Sequence, residues 1–361
     1  MNRSASQNLA VLVGTRKGGI VFRGTAGRRE WKADPPQFRG KPVHHMIADP
    51  CSGRCFAAVS TEFWGAGLFV SDDAGREWRE SKTPPRFPEG DERAMKKLWH
   101  IRPGRPTEPG VVYAGVEPAA LFRSTDNGET WTEIKSLNDH PSRDKWFPGA
   151  GGLTLHSIVL HPSNPQRMWA AISAAGTFRT DDGGRTWNPK NKGVRADFLP
   201  DKFPEVGQCV HKLVQNPANP DVLYQQNHCG MYRSDDAGDN WTDLCEGLPS
   251  RFGFPMAVHP HKPKTVYVIP EESDETRVTP GGRLSVWRSD DGGGRWRELS
   301  QGLPQNGAYQ NVLREAMATD TENPAGIYFG TATGQLCFSP DEGESWQTIA
   351  NWLPPIYSVE V

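Results

Sequence analysis

The sequence predicts an all-β chain folded as a seven-bladed propeller of four-stranded antiparallel blades. Three observations predict it: a repeated octet, a regular period, and a C-terminal strand that completes an incomplete N-terminal copy. The octet reads SDDAGREW at 71–78 and returns at 124–131, 180–187, 234–241, 289–296 and 339–346. Each copy keeps Ser or Thr, Asp two residues on, Gly two further and Trp three after that. The octet tryptophans, from Trp78 to Trp346, are spaced by 50–56 residues. That is the length of a four-stranded blade with generous loops.

Blade 4 shows the unit most clearly. LHSIVLHP (155–162), MWAAIS (168–173), GTFRTD (176–181) and TWNP (186–189) are short apolar or alternating runs separated by turn residues. They read as strands A, B, C and D. The same order recurs in blade 2 (43–80), blade 3 (97–134), blade 5 (210–244), blade 6 (254–299) and blade 7 (312–349). Residues 9–33 supply B, C and D without A, and IYSVEV (356–361) has the pattern of the missing strand. Blade 1 is therefore 9–33 plus 356–361, one domain spans 1–361, and the ring closes without a free edge between its first and last blades.

The octet falls on the C–D hairpin. The Gly at its fifth position supplies the left-handed backbone that a tight hairpin needs. Its Asp and Ser/Thr side chains are suited to hold turn N–H groups, and its Trp supplies a large apolar wedge between blades. Six copies on one rim are a scaffold rather than six active sites.

S/T-x-D-x-G-x-x-W resembles the Asp-box, or bacterial neuraminidase (BNR) repeat. The chain is similar to bacterial seven-bladed Asp-box proteins labelled sialidase-like or glycosyl hydrolase. The resemblance implies the fold. Its relatives in function are diverse: sialidases, xyloglucan-degrading enzymes, sorting receptors and photosystem assembly factors. The Arg-Ile-Pro motif of sialidases is absent, the nearest run being HIRP at 100–103. The xyloglucan enzymes clasp a polymer between two propellers, and this length makes one.

Composition narrows the partners. The formal net charge is −2 with no basic block, which argues against nucleic acid and anionic membranes. No apolar run approaches a membrane span. The N-terminus lacks a signal-peptide core, so a cytoplasmic location is the expectation. The six cysteines lack a CxxC pair and read as free thiols.

In a propeller, strand A lines the axis, and the D–A and B–C loops open on the face opposite the octets. Aligning the A strands places His44, Lys97, His156, His211, Phe254, Glu315 and Tyr357 around that mouth. The B–C loops add Arg16, Lys17, Glu62, Trp64, Glu117, His228, Cys229, Glu271 and Glu272. Two long D–A loops add aromatics: 135–154 carries Trp146 and Phe147, and 190–209 carries Phe198 and Phe203. Loops of that length are often functional.

The expected function is a small-molecule or glycoside hydrolase or lyase at this mouth. Glu315, His156, His211 and Glu117 are the acid–base candidates. Glu117 and Glu315 would be the carboxylate pair if the ligand is a glycoside. Arg16, Lys97 and Arg314 would hold an anionic group, and Trp64 and Tyr357 would contact substrate. His44, His156 and His211 form a candidate set for a divalent transition metal on the axis, to which Cys209, His228 and Cys229 could contribute. The alternative is a non-catalytic binding or assembly module, which should instead display an apolar or charged patch on a face or rim.

Overall fold

The computed structural model describes residues 9–25, 27–61, 65–149 and 151–361. Seven four-stranded antiparallel sheets are present. Blade 4 is Leu155–Leu160, Met168–Ile172, Gly176–Thr180 and Asn188–Pro189, in the order read from sequence. The B strands are buried along their whole length in blades 3 to 7. This is what a strand covered by its neighbours on both faces requires. The ring closes as expected: Ile356–Glu360 pairs with Ala10–Thr15, with Val13 opposite Val359 and Gly14 opposite Ser358.

Each octet is a hydrogen-bonded lock. In the first copy Ser71 Oγ donates to Asp73 Oδ1 at 2.7 Å and accepts from Gly75 N–H at 2.9 Å. Asp73 Oδ1 then accepts from the N–H groups of Arg76 and Glu77, both at 3.0 Å. The Ser/Thr-to-Asp and Gly-to-Ser/Thr bonds recur in all six copies. The fifth residue has φ between 81° and 102°, and the fourth is left-handed too, even where it is Ala74 or Glu342. Two octet tryptophans bond across blade boundaries, Trp241 Nε1 donating to Lys190 O at 2.8 Å and Trp296 Nε1 to Leu244 O at 3.0 Å, whereas Trp78 and Trp131 donate to Gly75 O and Gly128 O of their own octets.

A second regularity was invisible in the repeat. The A strands carry a bulge at one height. Pairing with strand B skips His44, Trp99, His156 and His211 in blades 2 to 5, and Tyr357 in the closing strand. In blade 6 the break spans Phe254 and Pro255. A bulge leaves its residue out of the ladder and turns two successive side chains to the same side. The axis is therefore lined by two tiers. The upper holds His44, Trp99, His156, His211, Phe254, Arg314 and Tyr357. The lower holds His45, His100, Ser157, Lys212, Glu315 and Ser358. Two expected positions change: the bulge puts Trp99, not Lys97, in the upper tier for blade 3, and Arg314, not Glu315, stands there for blade 7, where the paired part of strand A begins only at Met317.

Candidate functional site

The upper tier is an aromatic and cationic ring. His44 stacks between Trp99 and Tyr357, with ring centres 5.5 and 5.4 Å away. Burial, reinforced by the charge on Lys97, lowers its pKa to about 4, so it is a neutral ring at pH 7. Across the axis His211 stacks on Phe254 at 4.5 Å. Arg314 joins the two halves. Its guanidinium lies 5.6 Å from Trp99 and 5.7 Å from Phe254, and Nη1 donates to Ser173 Oγ in blade 4 at 2.9 Å. A planar guanidinium is suited to this sandwich, because it stacks on ring faces while its edge still donates.

Arg314 floors a chamber of about 540 Å³ on the D–A and B–C face, spanning blades 4 to 6. Phe147, Phe198 and Phe254 supply apolar wall, while Lys145, Arg277, His211, His228 and Asp274 supply polar groups. His228 Nε2 faces Asp274 Oδ2 at 3.1 Å. The Arg277 side chain is exposed and lies 5.8 Å from Phe254. This is the size and mixed lining of a small-molecule site.

Glu117 stands just behind the chamber wall. It is buried and accepts from Lys97 Nζ at 2.8 Å. A Cβ on Gly152, which lines the chamber, would fall 2.7 Å from Glu117 Oε1. Gly152 also has φ of 84°. The glycine is what lets this carboxylate approach the chamber.

The other expected residues are distributed as follows. His211 lines the chamber; its Nδ1 donates to Gly253 O at 2.6 Å, which leaves Nε2 as the acceptor. Burial, with Arg314 nearby, holds it well below the usual histidine range. His156 is fully buried with both nitrogens engaged, Nε2 on Val210 O and Nδ1 on Ser157 Oγ, each at 2.9 Å. It acts as a tie between blades 4 and 5. Glu315 lies in the lower tier and is bonded by Lys212 Nζ. Arg16 is exposed beside Tyr357. Trp64 and Glu62 lie outside the described residues.

The three histidines expected to share a metal do not converge, because His156 is committed and His44 is stacked away from His211. Among the described residues, the donor atoms of Cys209, His211 and His228 do converge, all within 4.8 Å of one another. A second convergent set, His45, His100 and Glu315, is buried in the lower tier.

Sequence reasoning missed Trp99, Lys145, Ser173, Asp274 and Arg277. Asp274 and Arg277 sit in the long B–C connection of blade 6, between Glu271 and Val286. The length of that insert was the available signal. Trp99 was hidden by the bulge.

The BNR/Asp-box repeat family model matches residues 122–133, which contain the whole of the second octet and run into the following D strand. With six such boxes on a seven-bladed ring, this settles the architecture. The chain is a seven-bladed Asp-box repeat propeller. Among curated proteins, this propeller is 26% identical to a xyloglucanase of a Paenibacillus species over 216 residues, which cover 56% of the chain and 19% of the relative. The propeller spans 19–34% of the length of the curated relatives it matches, all xyloglucanases. Among solved structures, the crystal structure of an ancestral GH74 enzyme superposes with a TM-score of 0.57 at 14% identity, covering 96% of the propeller and 40% of that chain. YCF48 bound to D1 peptide superposes with a TM-score of 0.55 at 16% identity, covering 96% and 85%. At these identities the structural likeness establishes the fold.

Proposed function

We propose that this Asp-box propeller is a carbohydrate-active hydrolase whose saccharide ligand occupies the chamber above Arg314. The observation that carries the reading is the lining of that chamber. Three phenylalanines offer apolar faces against which the C–H faces of sugar rings can pack. Arg314, Arg277 and Lys145 offer donors to hydroxyl, carboxylate or phosphate groups. The xyloglucanase relatives support a saccharide as the class of ligand. The cationic lining favours one bearing an acidic group.

Two carboxylates stand at the chamber, Asp274 in its lining and Glu117 behind Gly152. Glycoside cleavage needs such a pair, one to protonate the leaving oxygen and one to activate water or attack. Asp274 also orients the His228 ring at the chamber wall.

The exposed aromatic residues extend the surface. Among the described residues, Phe147, Phe198, Phe203, Tyr309 and Trp352 are the large apolar side chains most open to solvent. All five lie in D–A loops, on the chamber's face. An oligosaccharide longer than the chamber would run over this rim. The same rim favours a second reading, a docking face for a partner protein.

Isothermal titration with neutral and acidic oligosaccharides, followed by turnover assays, tests the proposal. Binding is expected to weaken in Phe198→Ala. Asp274→Asn and Glu117→Gln are expected to keep binding while turnover falls roughly 10²–10⁴-fold. Failure of every saccharide to bind at millimolar concentration would overturn the carbohydrate reading. Binding without turnover in the unmutated protein would leave a lectin-like module.

A further inference from the structure

We propose that Cys209, His211 and His228 form a mononuclear site for a soft divalent transition metal, with zinc the best fit, opening on the chamber. The inference rests on donor geometry and stands apart from the saccharide reading.

The donor spacing is the first argument. Cys209 Sγ and His211 Nε2 are 3.6 Å apart. Zinc–sulfur and zinc–nitrogen bonds of about 2.3 and 2.0–2.1 Å at a tetrahedral angle put the two donors about 3.5 Å apart. The third donor, on His228, lies within 4.8 Å of both.

The supporting shell is the second argument. His211 Nδ1 is 2.6 Å from Gly253 O, which can only accept, so the proton is on Nδ1 and the Nε2 lone pair faces Cys209 Sγ, whose thiol proton a metal would displace. His228 Nε2 is 3.1 Å from Asp274 Oδ2. The carboxylate accepts there, which leaves the lone pair on Nδ1. Imidazoles fixed by a carbonyl and a carboxylate are the arrangement that orients histidine toward a metal. The backbone adds its own tie: His228 N–H donates to Cys209 O at 2.9 Å, joining the loop before strand A to the B–C turn.

The donor set and position are the third. One thiolate and two imidazoles suit zinc or copper and disfavour magnesium or calcium. All three residues line the chamber. Three protein ligands with a fourth position facing a cavity is the pattern of a metal that keeps a water or a substrate atom.

The test uses the full chain made without a histidine tag, stripped with chelator and titrated with Zn²⁺ and with Co²⁺. One equivalent should bind, and Co²⁺ should give thiolate-to-metal charge-transfer absorption. Cys209→Ser should abolish that absorption, His228→Ala should weaken Zn²⁺ at least tenfold, and Cys51→Ser, at an exposed thiol, should change neither. A readout without mutation keeps the test open if a variant misfolds. Zn²⁺ should slow alkylation of Cys209, followed by mass spectrometry, and leave Cys51 unaffected. The proposal falls if the folded, untagged protein takes up no stoichiometric Zn²⁺, if the cobalt absorption survives in Cys209→Ser, or if Zn²⁺ fails to protect Cys209.

Discussion

The Arg314 guanidinium lies 5.6 Å from the centre of the Trp99 ring, across the axis from the blade that carries it. One side chain thus joins blade 7 to blades 3, 4 and 6 and closes the floor of the chamber. Arg314→Ala removes charged hydrogen bonds made in a buried setting, a loss of about 1.5–3 kcal/mol. Arg314→Lys keeps the charge and loses the planar stack, so it should recover less than half. Urea denaturation of the two variants checks this. Equal stability of Lys and Arg would show that stacking contributes nothing.

Glu315 and Lys212 face each other from blades 7 and 5 in the tier below. His100 Nδ1 stands 3.5 Å from the same carboxylate. Burial opposes the charge on Glu315, but Lys212 and then His100 hold its carboxyl well below the usual range. Lys212→Met leaves that carboxylate unpaired and should cost about 3–5 kcal/mol. Adding Glu315→Gln should restore part of the loss, because the pair is then removed together. Chemical denaturation of both singles and the double completes the cycle. A double variant as unstable as the sum of the singles would deny the pairing.

The contrast between these tiers shows what the sequence carried. The octets supplied blade count, strand order, hairpin face and ring closure, because each rests on a local rule repeated six times. The axis followed another rule. In blade 3 a bulge adds one residue to strand A without altering the octet spacing, which hid Trp99, and in blade 7 the ladder begins only at Met317, so alignment had no register with which to separate Arg314 from Glu315. His228 was legible because a B–C turn must reach the mouth. Asp274 and Arg277 were not, because they occur in one blade only and a repeat gives no register for an insertion.

Closure depends on Ile356–Glu360, whose Ile356 and Val359 are completely buried. Burying side chains of this size is worth roughly 1.5–3 kcal/mol each, and the strand's hydrogen bonds to Ala10–Thr15 would be lost with it. A chain ending at Pro355 should therefore melt at least about 5 °C lower. It should also expose the edge of blade 1 to association. Calorimetry and light scattering measure the two effects. An unchanged melting temperature would deny the strand its role in closure.

The octet locks should make the fold sensitive to acid. Hydrogen bonds from Thr130 and Ser124, outweighing the effect of burial, lower Asp126 to about 2, and the other five octet aspartates are lowered for like reasons. A carboxylate depressed in the folded state contributes stability above its unfolded pKa, near 4, and loses it as pH falls through the folded value. Stability should fall between about pH 4 and 2. Asp126→Ala should cost about 1 kcal/mol at pH 7 and nearly nothing at pH 2. A loss independent of pH would show that the aspartate acts through packing alone.

Glu271 titrates in the opposite sense. It ends strand B of blade 6 with no exposed surface; Oε1 accepts from Asn311 Nδ2 at 2.8 Å, and Oε2 has no partner among the described residues. Burial pushes its carboxyl up to about 7, against the pull of the Asn311 and Val312 hydrogen bonds. The folded chain therefore holds this proton at pH values where the unfolded chain has released it. The associated stability is full below the unfolded pKa, near 4.5, and is lost as pH rises through about 7. Glu271→Gln keeps the acceptor for Asn311 and cannot ionise. The variant should match the parent near pH 4.5 and exceed it at pH 8 by roughly 3 kcal/mol or a little more, at about 1.4 kcal/mol for each unit by which the pKa is raised. Denaturation at the two pH values reads the difference directly. A parent and variant that stay parallel from pH 4.5 to 8 would show that Glu271 ionises without cost.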